Sequence, residues 1–395
     1  MTRLRNPAVS IAMKDLPLSN GIRSRFVDNH NGLTMHVLEA GYETPGRACV
    51  LLLHGFPELA YSWRKIMPAL AAAGYYVVAP DQRGYGRTVD LPVSYQSDLD
   101  DYRFPNLVRD AVGLVAALGY QRVAAVVGHD FGSPVAAWCA LIRPDMFPAV
   151  VLMSAPFAGA PRLPFDTTNA AGENRPSPAP MATALADLKR LDPPRKHYQC
   201  YYSTAGANED MLEASKGLRA FLRGYYHVKS ADWPDNRPFP LGGLSAAELA
   251  KLPEYYVMRS DRTMAETVAD AILNVRPPDV CEWLTDEELE VYVDEYRRTG
   301  FQGGLQWYRC GVDSRFTAEL QLWSGRTINV PALFIAGKND WGYFQKPGDF
   351  EAMQATACTQ LQAVHLVERA GHWVQQEQPE AVVRHLLDFL DGLGA

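Results

Sequence analysis

Residues 123–133 read VAAVVGHDFGS. Five small or β-branched apolar residues are followed by a turn in which Gly128 and Gly132 bracket His129, Asp130 and Phe131. An unbroken apolar run of this length fits a strand buried on both faces, and residues 133–142 fit a helix packing back on it. Small residues on either side of the turn suit a strained strand-to-helix connection. The pattern G-x-nucleophile-x-G is the elbow that lifts a side chain above a sheet. Its usual occupant is serine; here it is Asp130.

Working outward, apolar strand patterns alternate with helical ones. Strands are expected at 48–55, 75–81 and 149–156, and helices at 63–74, 106–119 and 133–142, the second closed by Gly119. That rhythm predicts a mostly parallel sheet flanked by helices, an α/β fold. It breaks at 158–181, a stretch rich in Pro, Ala and Gly that reads as a linker. Tyr-rich helical segments without a strand pattern follow to about residue 328, interrupted by Pro-rich loops such as 232–243. Strands resume at 331–337 and 361–372, and a helix at 380–393 ends the pattern. The expected organisation is a core in two parts, 1–157 and 329–395, with a linker and helical cap at 158–328 inserted between them.

Composition narrows the function. The chain has 395 residues, 47% of them hydrophobic, enough for a large core. Its net charge is −7 and no Lys/Arg-rich run interrupts it, which argues against nucleic-acid partners and an anionic-membrane anchor. No apolar stretch approaches the ~20 residues of a spanning helix. The first segment is broken by Lys14 and Asp15 and makes a poor signal peptide, so a soluble cytoplasmic protein is expected. The six cysteines are scattered with no C-x-x-C pair, indicating neither a metal site nor a disulfide framework.

Ligands of open α/β sheets bind beyond the C-terminal ends of strands. Four such ends carry suggestive residues: HGFPE (54–58), GHDFGS (128–133), GKNDWG (337–342) and AGHWVQ (370–375). They supply Asp130, Asp340 and His372 in the chain order nucleophile, acid, histidine of the α/β-hydrolase triad. Each motif alone is weak. Four in this order, each after its own strand, are specific.

Over nearly its whole length the chain resembles the α/β-hydrolase-fold epoxide hydrolases of the soluble type. Residues 54–88 are similar to the family pattern throughout, and HYQCYY (197–202) and GGLQWYRC (303–310) resemble the cap segments that carry its two catalytic tyrosines. The resemblance implies that Tyr198 and Tyr308 donate protons, and that the backbone N–H groups of Phe56 and Phe131 form an oxyanion hole. It implies a turn held by Pro57, in cis, and surroundings that include His54, Glu58 and Trp341. The aromatic character of the cap and the apolar strands of the core suggest a hydrophobic pocket for a small epoxide, and such a mechanism needs no metal or organic cofactor. Assembly into homo-oligomers stays open.

The chemistry explains the company these residues keep. A carboxylate attacking an epoxide carbon divides a hard hydrolysis into two easier steps. Phenols with pKa near ~10 can protonate the departing oxygen, and a histidine–aspartate pair can activate water against the resulting ester. Each residue also has a bland reading. An aspartate between strand and helix is commonly an N-cap, His372 could be a structural histidine, and Asp349 rivals Asp340. His54 and His129 read as turn organisers, and Glu58 as a group orienting water or a solvated helix start. The tyrosines lie among 19, and Tyr225 or Tyr226 within 223–233 could substitute as donors. A dehalogenase would use the same aspartate but needs halide donors, which Phe56 and Phe131 cannot supply through their side chains. A non-catalytic binding protein would have no need of Asp130, Asp340 and His372 together.

Overall fold

A computed structural model describes residues 13–89, 92–163, 181–273 and 281–394. Eight strands form one sheet: β1 (Ile22–Asp28), β2 (Thr34–Ala40), β3 (Cys49–Leu53), β4 (Tyr76–Pro80), β5 (Ala125–His129), β6 (Val150–Met153), β9 (Ala332–Gly337) and β10 (Leu361–Val367). Their spatial order is 1-2-4-3-5-6-9-10, with β2 antiparallel to both its neighbours, β1 and β4, and every other pair parallel. β3, β4, β5, β6 and β9 are buried along their whole length, as expected of apolar runs covered on both faces. Helices Met67–Ala72, Phe104–Ala117 and Gly132–Ile142 make the crossovers between them.

The sequence pattern misses β1 and β2. In IRSRFVD only the first residue and Val27 are buried, so the strand has no apolar run to announce it. β2 instead buries Glu39 against the guanidinium of Arg25, with Nε–Oε2 at 2.7 Å and Nη2–Oε1 at 2.8 Å.

Between β6 and β9 the described chain is mainly helical, but two short strands pair antiparallel there, β7 (Arg195–His197) and β8 (Val257–Arg259). This corrects the expectation of no strand in that region. Three residues are too few to show a period of two. Most of the expected linker, 164–180, lies outside the described residues. No described helix is long and apolar enough to cross a membrane.

The topology itself gathers the strand-end motifs. From β3 the chain moves out to β4 and then crosses back to β5 on the other side of β3, which makes the β3/β5 boundary a topological switch point. Leu53 pairs with Gly128 across it, so the segments that follow, carrying Phe56 and Asp130, emerge side by side. β9 and β10 are likewise neighbours, and the loops after them carry Asp340 and His372.

Candidate active site

Asp130 sits at the elbow with φ +51°, a left-handed conformation that an aspartate tolerates at a cost of about 1–3 kcal/mol. The turn closes because its neighbours lack side chains. A Cβ on Gly132 would lie 2.2 Å from the Leu53 carbonyl oxygen, and one on Gly128 2.1 Å from that of Gly132. Held there, Asp130 accepts a hydrogen bond at Oδ1 from the Phe56 N–H, 2.9 Å away. Its Oδ2 stands 3.2 Å from His372 Nε2. The Phe56–Pro57 peptide is cis, as the resemblance implies. Of the two expected oxyanion donors, Phe56 alone reaches the carboxylate in this geometry; no hydrogen bond joins the Phe131 N–H to it.

His372 Nδ1 meets Asp340 Oδ1 at 3.0 Å, and the Gly342 N–H donates to the same oxygen at 2.6 Å. Asp349, the rival acid, begins the short helix Asp349–Ala352 and makes no ion pair with His372, whose carboxylate partners are Asp340 and Asp130. Burial opposes a charge on the Asp130 and Asp340 carboxyls, but contact with His372 outweighs it and holds both below the usual carboxylate range. At His372, burial and the Lys229 ammonium work against the imidazolium. The two carboxylates prevail and raise the ring above its ordinary value.

Across the site, Tyr198 opens helix Tyr198–Tyr202 and Tyr308 lies in helix Gln302–Val312. Their rings meet edge-on with centroids 5.9 Å apart, and both line a cavity of about 290 Å³ together with Asp130. The helix carrying Tyr308 approaches the core so closely that a Cβ on Gly303 would fall 1.9 Å from the Gly84 carbonyl oxygen. Burial, reinforced by the charge of Asp130, pushes both phenols well above 10 and keeps them protonated. Phe104, Phe131, Trp138, Phe157 and Leu320 give the cavity an apolar wall.

The remaining expected residues are structural neighbours of this site. His54 Nε2 accepts from the Gln82 N–H at 3.0 Å, so its Nδ1 carries the proton that faces the Gly55 carbonyl at 2.9 Å. Glu58 is fully buried, which excludes a solvated helix start. It meets His129 Nδ1 at 2.5 Å and accepts from Gln375 Nε2 at 2.8 Å. His129 Nε2 lies 2.7 Å from the His372 carbonyl, so a Glu58–His129 pair clamps the backbone of His372. Trp341 does not line the cavity and packs edge-on against Phe239. Tyr225 and Tyr226 do not line the cavity; Tyr226 donates to the Pro57 carbonyl at 3.0 Å. Among the described residues no group of three or more His, Cys, Asp or Glu could hold a metal ion.

Comparison with known proteins identifies the family. The alpha/beta hydrolase fold family matches residues 49–192. Epoxide hydrolase B of Mycobacterium tuberculosis is 35% identical over 384 residues, covering 92% of this chain and 97% of that protein. The chain belongs to the epoxide hydrolases of the α/β-hydrolase fold. Epoxide hydrolase A of the same organism is also 35% identical, over 93% of this chain and 97% of its own. Among solved structures, an epoxide hydrolase from an endophytic Streptomyces superposes with a TM-score of 0.71 at 35% identity. The match covers 95% of this chain and 97% of that one. Epoxide hydrolase A from Mycobacterium thermoresistibile gives 0.70 at 32%, covering 94% and 98%.

Within this epoxide hydrolase the structure adds residues that sequence motifs did not reveal. Gln345 accepts the Tyr198 hydroxyl proton at Oε1, 2.9 Å away, and also lines the cavity. Glu377 is buried behind the histidine loop and accepts from the N–H groups of Gly371, Trp373 and Ala231 at 2.8–3.0 Å. Lys229 lends its carbonyl to the His372 N–H at 2.8 Å. None stands in a recognisable motif. Gln345 and Lys229 act across segments far apart in the chain, and Glu377 joins its own loop to Ala231, 146 residues away.

Proposed function

We propose that the enzyme hydrolyses small hydrophobic epoxides to vicinal diols through an ester on Asp130, with residues 158–328 forming the cap that supplies the proton donors. One observation carries the reading. A carboxylate held 2.9 Å from the Phe56 N–H and 3.2 Å from His372 Nε2 faces a cavity that Tyr198 and Tyr308 also line.

In the first half-reaction an Asp130 oxygen attacks a ring carbon. The carbon–oxygen bond breaks, and the departing oxygen takes a proton from Tyr198 or Tyr308. The ester is neutral. The imidazolium proton of His372 returns to the tyrosinate, which leaves a neutral imidazole and two intact phenols. In the second half-reaction water attacks the ester carbonyl and gives a proton to His372 Nε2, while Asp340 supports the imidazolium. The oxyanion forms where the Phe56 N–H already points; such a donor is worth about 3–4 kcal/mol, and Phe131 would add a second. Collapse breaks the ester carbon–oxygen bond, the departing alkoxide takes the remaining proton of the added water, and the diol leaves an Asp130 carboxylate beside a protonated His372.

A single turnover in ¹⁸O-water with enzyme in excess tests the route. The first diol should carry almost no label, and the heavy oxygen should appear in the peptide containing Asp130. If His372 directed water onto the epoxide itself, the first diol would be labelled and the peptide would not.

A further inference from the structure

Lys229 is 4% exposed, and no carboxylate lies within ion-pair distance of its ammonium among the described residues. Aromatic faces surround it instead. Nζ lies 4.8 Å from the ring centroid of Tyr256, 5.2 Å from Tyr225, 5.7 Å from Trp373 and 5.8 Å from Tyr255. Ring quadrupoles attract a cation without neutralising it, so a caged ammonium keeps its full field. Its one hydrogen bond among the described residues, to the Tyr225 hydroxyl, is long at 3.5 Å.

The cage is fixed relative to the triad. The Lys229 carbonyl accepts from the His372 N–H at 2.8 Å, and Trp373 joins the cage while stacking edge-on against His372 with centroids 4.7 Å apart. A Cβ on Gly371 would lie 2.6 Å from the Lys229 carbonyl oxygen, so the two segments are pressed together. Groups facing His372 are therefore Asp130 from the elbow, Asp340 after β9, His129 with a ring centroid at 5.2 Å, and Lys229.

These charges act differently in the two halves of the reaction. In the resting enzyme both carboxylates sustain the imidazolium against Lys229. Alkylation removes the charge of Asp130, leaving Asp340 alone against the ammonium and burial. We propose that Lys229 is a positioning residue for the second half-reaction: its caged charge biases His372 to the neutral imidazole once Asp130 is an ester, turning the histidine from counter-ion into base. The balance holds because the proton His372 gives up is the one the tyrosinate needs. This inference rests on the covalent route proposed above.

The test compares Lys229→Met with Lys229→Arg, following ester formation and decay by rapid quench and intact mass from pH 5 to 9 with styrene oxide. Lys229→Met should form the ester within several-fold of the wild-type rate. The acid limb of its ester hydrolysis should move up by about one pH unit, since a lost neighbouring cation raises the imidazole. Ester should then accumulate near pH 6–7, and Lys229→Arg should restore the wild-type limb. Lys229→Gln gives the same readout should the methionine variant not fold. A folded Lys229→Met or Lys229→Gln with an unmoved acid limb overturns the role of Lys229, even if both steps slow together. The covalent route is checked separately with His372→Gln, which should trap the ester; no adduct there overturns that route and this role with it.

Discussion

Replacing Asp340 by asparagine keeps the shape of the side chain and removes its charge. The Gly342 N–H, 2.6 Å from Oδ1, will hold the amide oxygen in that position, so the contact with His372 Nδ1 and the imidazole tautomer both survive. What disappears is a carboxylate 3.0 Å from a ring that must become cationic as water attacks. A unit-charge pair at ~4 Å with an effective dielectric near ~20 is worth about 4 kcal/mol. Part of this is recovered by the surviving neutral hydrogen bond, worth about 1 kcal/mol. A loss of about 3 kcal/mol is roughly 10²-fold at about 1.36 kcal/mol per decade. The loss should fall on ester hydrolysis, because Asp130, the Phe56 N–H and both tyrosines are untouched. Rapid-quench kinetics should therefore show a diol-free burst of about one ester per enzyme, followed by turnover roughly 10²-fold below wild type. Turnover within tenfold of wild type, or ring opening slowed as much as hydrolysis, would refute the assignment of Asp340 to the water-activating histidine.

Two further outcomes follow from the same geometry. Tyr198→Phe and Tyr308→Phe should each slow ring opening by roughly 10- to 10²-fold, about the worth of one hydrogen bond to a charged oxygen, and the double variant should nearly abolish it; wild-type burst rates in both single variants would remove the donor role. The pH profile should divide between the steps. The Asp130 carboxyl is held below its usual range, so the ester burst should persist at pH 5, whereas turnover should decline there because His372 must be neutral to accept a proton from water. Both phenols lie well above 10, so no loss should appear below about pH 10 on the alkaline side. Burst and turnover falling together in acid would contradict separate nucleophile and base.

The central sheet was legible because its signal is local. VAAVVGHDFGS states both a buried strand and a turn that only small neighbours permit, and HGFPE and GKNDWG follow similar apolar runs. The antiparallel β1 and β2 were not legible, since a half-exposed strand such as IRSRFVD has no apolar run, and the three-residue β7 and β8 have no measurable period. The tyrosines could be nominated from their cap segments, but that Gln345 engages Tyr198 while Tyr225 and Tyr226 do not line the cavity follows from how the helices pack on the core. Nothing in the spacing of Asp130, Asp340 and His372 states that they touch. Strand order does that, by setting β3 beside β5 and β9 beside β10. Sequence determined which residue types stand at the strand ends, because hydrophobic periodicity and turn chemistry are properties of adjacent residues. Tertiary structure alone decided which charges share the buried space around His372, because Lys229 is 143 residues away in the chain and acts through a field that only folding brings within range.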